Sequence, residues 1–141
     1  MTNDIRYDYN EETGVTIVDK IIDGKYVCGE AKVAPQDKPY ANAFTGYAIA
    51  ECRLNIDYAR KHIEYDLKPQ LFILNHLLGT MAKSPRFNPD SYETKRIYAE
   101  RQNILDDIEQ FKRYIEATKD YLHDYITAKD DLYRRLDKGQ N

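Results

Sequence analysis

A chain of 141 residues has room for one real hydrophobic core and none for a second independent one. Hydrophobic residues at 42% against charged residues at 32% point to long solvated helices rather than a thick layered fold, and a net charge of -3 leaves no basic field to hold a duplex nucleic acid. Met1 to Arg6 carry no basic or apolar leader pattern, and no stretch approaches the roughly 20 apolar residues of a membrane span, so the expected location is the cytoplasm.

In chain order, the reading is of one domain over 1–141, made of a β-hairpin region at 1–40, a kinked helical segment at 42–82 and a long C-terminal helix at 90–137. Residues 1–13 are polar and acidic around Tyr7 and Tyr9, a loose arm or a short edge strand. Val15 to Ile22 is a β-branched run, Asp23-Gly24 is a two-residue turn that tolerates positive φ, and Lys25 to Val33 returns as a second strand. That return strand alternates Val27, Gly29, Ala31 and Val33 against Tyr26, Cys28, Glu30 and Lys32, so its small apolar face needs a helix to cover it.

The prolines at 35 and 39 end the sheet, and from about Asn42 or Thr45 a helix places Ile49, Cys52, Ile56, Ala59 and Ile63 on one stripe, the expected cover for the hairpin. Pro69 removes a helical donor, which predicts a kink or break near Leu67-Lys68 before a second piece from Gln70 to Met81. Lys83 to Asp90 holds two prolines and must be a turn; Asp90 with Glu93 three residues on is the expected helix start. The helix that follows contains no Gly or Pro to Asp137, and a heptad frame runs through Ile97, Arg101, Ile104, Ile108, Phe111, Ile115, Thr118, Leu122, Tyr125, Lys129, Leu132 and Leu136. The fold class is therefore α+β: an N-terminal antiparallel β-hairpin packed on a long antiparallel helical pair whose C-terminal helix is coiled-coil-like.

Catalytic chemistry is not legible. There is no phosphate-binding glycine loop, no metal-ligand spacing and no nucleophile motif, and His62, His76 and His123 are scattered, so the expectation is no enzyme, no cofactor and no metal. Cys28 and Cys52 read as small buried hydrophobes. Asp106-Asp107 and Asp130-Asp131 read as a solvated helix face carrying ion pairs four residues apart.

Three features point to binding. The apolar stripe on the long helix is broad, so Ile104, Ile108, Phe111, Ile115, Leu122, Tyr125 and Leu132 serve either internal packing or an interface in a homo-oligomer. Arg101 and Lys129 occupy heptad core positions, where a charge needs an ion-pair partner or a bound anion. The turn Arg86-Phe87-Asn88 groups a guanidinium, an aromatic face and an amide, a trio able to grip a nucleotide, with Lys95 and Arg96 nearby in sequence adding positive charge and Arg101 a further candidate.

Val15 to Val18, Asp23-Gly24-Lys25, Gly29-Glu30-Ala31-Lys32, Pro35-Gln36-Asp37 and Thr45-Gly46-Tyr47-Ala48-Ile49-Ala50 with Arg53 form a pattern over about residues 14 to 54. It resembles short accessory proteins encoded by phages and prophages of Gram-positive bacteria, departing from them at Lys38-Pro39-Tyr40. In that family the glycines and Asp37 look structural, the acid capping a helix. The small β-core with long helices also looks like the Thoeris anti-defence sponge proteins, which oligomerise and sequester a cyclic ADP-ribose signal. The resemblance implies a phage-encoded anti-defence protein acting in the host cytoplasm, with a cyclic nucleotide or ADP-ribose-type small molecule as ligand. The alternatives are a protein-binding inhibitor of a host defence effector, similar to an anti-CRISPR, and a virion structural or assembly protein.

Overall fold

The computed structural model describes residues 4–139. Strands β2 (Val15–Ile22) and β3 (Lys25–Lys32) pair antiparallel, with Ile22 opposite Lys25 and Val18 opposite Gly29. The turn between them has positive φ at both central residues, 51° at Asp23 and 77° at Gly24, which matches the right-handed twist of the strands. Of the N-terminal stretch, residues 1–3 lie outside the described part, and Arg6–Asn10 forms an edge strand, β1, so the sheet has three strands in the order β1-β2-β3. The loop joining β1 to β2 is tied by Asn10, whose side-chain oxygen accepts the N–H groups of Glu12 and Thr13 at 2.9 and 3.2 Å.

After a 3₁₀ helix at Pro35–Tyr40, helix α1 spans Ala43–His62. Asn42 caps it, accepting the Thr45 N–H at 2.9 Å. Gly46, Ala50 and Leu54 make the closest approach to the sheet, and Ile49 from the expected stripe joins the same core, while Ile56, Ala59 and Ile63 farther along that stripe are buried as well. A Cβ on Gly29 would fall onto the Ala50 carbonyl oxygen and lie 2.5 Å from the Leu54 nitrogen, and a Cβ on Gly46 would lie 3.1 Å from the Thr16 Cβ. Small residues on both elements thus let helix backbone lie against strand. Val18, Val27, Ala31, Ile49, Ala50 and Leu54 form the core there, with Leu122, Tyr125 and Ile126 packed against it.

The free edge of β3 is closed by the same helix. The Asp57 carboxylate accepts the Cys28 N–H at 3.1 Å, and Arg53 donates to the Glu30 carbonyl at 2.7 Å. Two main-chain groups of this edge are thus engaged by helix side chains.

The helical run passes Pro69 through a π-helical turn at Ile63–Leu67 and continues as α2 (Lys68–Ala82). The sequence expected a kink or break; the wider turn accommodates the proline, and the Gln70 side-chain amide donates to the Asp66 carbonyl at 2.7 Å within the same stretch. Helix α3 spans Tyr92–Asp137. Its cap is Ser91, which accepts the Thr94 N–H at 3.2 Å, in place of the expected Asp90. Of the acidic pairs singled out in the sequence, Asp131 pairs with Arg135 four residues on, Asp130 pairs with the adjacent Lys129 and Asp106 accepts from the Gln102 amide; Arg96–Glu100 and Glu109–Arg113 are further pairs at four-residue spacing. No described helix is long and apolar enough to cross a membrane.

Contacts divide the chain into two compact units, Met1–Tyr58 with Ile115–Asn141, which holds the sheet, and the helical Ala59–Tyr114. The heptad frame follows the buried side of α3 until Leu122, then lags. Leu132 is 51% exposed whereas Tyr133 is 6% exposed, and Ile126 joins the core. An α-helix drifts by roughly 20° per heptad against a strict seven-residue repeat, so the buried row steps to Ile126 and Tyr133. Among the candidate interface residues, Ile108 and Ile115 are buried within one chain, Leu122 and Tyr125 pack on the sheet core, and Ile104 and Phe111 are half-buried. Leu132 is the one left exposed. Internal packing therefore accounts for most of the stripe.

Replacing Gly29 with Ala is expected to destabilise the fold by on the order of 3 kcal/mol, because its new methyl meets backbone that cannot rotate away. Gly79→Ala, in helix α2 with open space around it, is expected to stabilise by about 0.5–1 kcal/mol. Urea unfolding of the two variants checks both signs.

Candidate functional site

The turn between α2 and α3 is built by short-range polar contacts. Ser84 accepts the Phe87 N–H through its carbonyl at 3.0 Å and the Arg86 N–H through its hydroxyl at 3.2 Å. The Asn88 side-chain oxygen accepts the Asp90 N–H at 2.9 Å, and its main-chain carbonyl accepts the hydroxyl of Thr94 at 3.0 Å. Thr94 is 1% exposed and also accepts from the Ser91 hydroxyl at 2.8 Å. Two prolines and this chain of bonds give the turn one defined shape.

Around it lies an open hollow of about 330 Å³ lined by Met81, Ser84, Arg86, Phe87, Asn88, Ser91, Glu93 and Thr94. Arg86, Phe87 and Asn88, grouped by the sequence reading, do converge on this one surface. Phe87 is half-buried, while Arg86 is exposed and forms no ion pair among the described residues. Because the Asn88 oxygen is engaged in the turn, its amide NH₂ is the group left to meet a ligand. Glu93 is part of the same lining, so the hollow holds one cationic and one anionic side chain.

The other three basic candidates do not line the hollow. Lys95 is exposed, Arg96 pairs with Glu100 at 3.0 Å, and Arg101 donates to the Asn75 side chain at 2.6 Å. Arg101 thus donates to a neutral amide on α2. The lining residues missed in sequence, Met81 and Ser84 on one side and Ser91 and Thr94 on the other, are brought in by the turn itself; the Ser-x-x-Thr spacing was the available signal for the second pair.

Lys129 resolves differently. Its ammonium lies 3.7 Å from the Asp37 carboxylate and 3.0 Å from that of Asp130, and 5.5 Å from the Tyr133 ring centroid. Tyr133 in turn stands 5.3 Å from the Tyr40 ring, and the Tyr40 hydroxyl donates to Asp137. Asp37, read from the sequence as a helix cap, is instead the partner of Lys129, and Asn42 caps α1. The neighbouring cavity, between Thr16, Ile49 and Lys129, has about 30 Å³, the room of a water molecule and far below that of an organic ligand. This is a pin between the 3₁₀ helix and α3.

The groups whose proton affinity is displaced lie in structural contacts. Asp19 is held below the usual carboxylate range by its hydrogen bond from Arg6, at 2.7 Å, with Tyr26 donating to it as well. Tyr7 and Tyr40 are raised because each donates to a carboxylate, Glu51 and Asp137. Burial raises Cys52. Among the described residues no group of three or more His, Cys, Asp or Glu is placed to hold a metal ion. Comparison of the chain with protein-family models, with curated proteins and with solved structures found no match.

The Asp37–Lys129 pin is expected to show a coupling energy of about 1 kcal/mol in a double-mutant cycle of Asp37→Ala and Lys129→Ala read by thermal or urea unfolding. A coupling near zero would reduce the contact to an incidental surface pair.

Proposed function

We propose that this protein is a non-catalytic binding protein that captures a nucleotide-type small molecule at the turn between α2 and α3. The observation that carries the reading is the convergence of Arg86, Phe87 and Asn88 on one hollow of about 330 Å³. The Phe87 ring offers a face for a base, the Asn88 amide donates to a base or sugar oxygen, and Arg86 meets a single phosphate. The offsetting charge of Glu93 favours a cyclic mononucleotide, with one negative charge, over ADP-ribose, with its diphosphate. In biological terms the role is that of a phage-encoded anti-defence protein that sequesters a cyclic nucleotide or ADP-ribose-type immune signal in the host cytoplasm without cleaving it. Its support is the sequence resemblance over residues 14 to 54 together with a turn site whose polar groups hold structure rather than activate a nucleophile.

A second reading, inhibition of a host effector by protein contact, is favoured by the tyrosines that α3 exposes, 50% at Tyr98, 44% at Tyr114 and 58% at Tyr121. Calorimetry with a panel of cyclic mononucleotides and ADP-ribose isomers separates the two. Binding that weakens by about 10- to 100-fold in Phe87→Ala and in Arg86→Ala is the expected result. Absence of heat with every member of the panel sinks the nucleotide reading and leaves the protein-contact one.

A further inference from the structure

Thr16 lies on the face of β2 that meets Gly46 of helix α1, and it is 1% exposed, yet its hydroxyl forms no hydrogen bond among the described residues. A buried hydroxyl without a partner is costly, and in folded proteins the great majority of such groups are bonded to protein or to ordered water. Among the described residues no buried side-chain polar atom is both sealed and unbonded, so the little surface that this hydroxyl keeps opens on the cavity of about 30 Å³ that Thr16 lines. Asp37 and Lys129 line the same cavity. Their side chains are only 14% and 18% exposed, but the ammonium stands 3.7 Å from the carboxylate, beyond the roughly 2.7–3.2 Å of a direct hydrogen bond. The Asp37 carboxylate accepts no hydrogen bond from another described residue. Lys129 has three N–H donors and one carboxylate at hydrogen-bond distance, that of Asp130 at 3.0 Å, with the Tyr133 ring centroid 5.5 Å away.

We propose that this cavity is the binding site of one structural water, which donates to the Asp37 carboxylate, accepts from the Lys129 ammonium and pairs with the Thr16 hydroxyl. The choice of a neutral molecule follows from the lining. Asp37 repels an anion and Lys129 repels a cation, whereas a molecule that both donates and accepts satisfies all three groups at once. Three bonds are also the usual complement of a buried water, and the volume admits nothing larger. The room is made by small residues, since Ala31, Ala41 and Gly46 belong to the same lining. The gap of 3.7 Å is thereby bridged, and β2, the 3₁₀ helix and α3 are joined in one polar network. The site lies within the sheet-bearing unit and does not depend on the ligand reading at the α2–α3 turn.

Oxygen-17 relaxation dispersion of the full chain, which detects water oxygens held for longer than the protein takes to tumble, tests the proposal without interference from exchanging hydroxyl or ammonium protons. Thr16→Val keeps the shape of the side chain and removes the hydroxyl; Lys129→Met keeps an unbranched stem and removes the ammonium. Each is expected to lower the dispersion amplitude by about one long-lived water. The two variants act on different parts of the lining, so failure of one to fold leaves the other to decide. A crystal structure of the unchanged protein is expected to show one density peak within about 3.2 Å of the Thr16 Oγ1 and within the same reach of the Asp37 carboxylate and the Lys129 Nζ. Amplitudes in the variants equal to that of the unchanged protein overturn the proposal. So does a cavity without density, or one whose peak refines as an ion.

Discussion

Helix α1 lies with its backbone against the sheet, and the rest of the sheet-bearing unit depends on that approach. Gly29 makes it possible on the strand side, where any Cβ would occupy the place of the Ala50 carbonyl oxygen, and Gly46 makes it possible on the helix side against Thr16. Once the helix is this close, short side chains reach all three strands. Tyr7 on β1 donates to Glu51 and sets its ring against Tyr47 at 5.0 Å, Thr16 on β2 meets Gly46, and the backbone of β3 is bonded by Arg53 and Asp57. A three-stranded sheet with few large core residues is held by proximity and polar closure as much as by apolar area.

The same helix also reaches the outer edge of the sheet. Asp57 engages the Cys28 N–H and Arg53 the Glu30 carbonyl, so part of the β3 edge is taken up by helix side chains. Beyond it, the 3₁₀ helix has no buried residue of its own and is held through Asp37 to Lys129 and through Tyr40 to Tyr133 and Asp137. Charges that look misplaced on a heptad map turn out to hold a connection that has no apolar side to bury.

The helical unit follows a different rule. Its connecting turn is ordered by hydrogen bonds among Ser84, Asn88, Ser91 and Thr94, which fixes Arg86 and Phe87 on an open surface, while the apolar residues of α2 face outward in numbers that internal packing does not use. The turn takes its shape from its own hydrogen bonds, and Phe72, Ile73 and Leu77 of α2 are exposed.

Much of this was legible in the residues. The Asp23-Gly24 turn fixed the hairpin because only residues tolerant of positive φ close it, the alternation in Lys25 to Lys32 marked its inner face, and an uninterrupted helical run defined α3 to Asp137. The grouping of Arg86, Phe87 and Asn88 was legible as well, since neighbours in a proline-bounded turn stay neighbours in space. What tertiary structure alone decided were contacts between residues far apart in the chain. Arg101 meeting Asn75, Lys129 meeting Asp37, and the close approach of Gly46, Ala50 and Leu54 to the sheet beside Ile49 all lie in this class. The reason is physical: periodicity states which residues share a face, but two neighbouring faces of one helix both look apolar, and only the closeness of packing selects between them. The sequence by itself determined the elements and the chemistry each could offer; the fold determined which of those groups were satisfied internally and which were left facing outward.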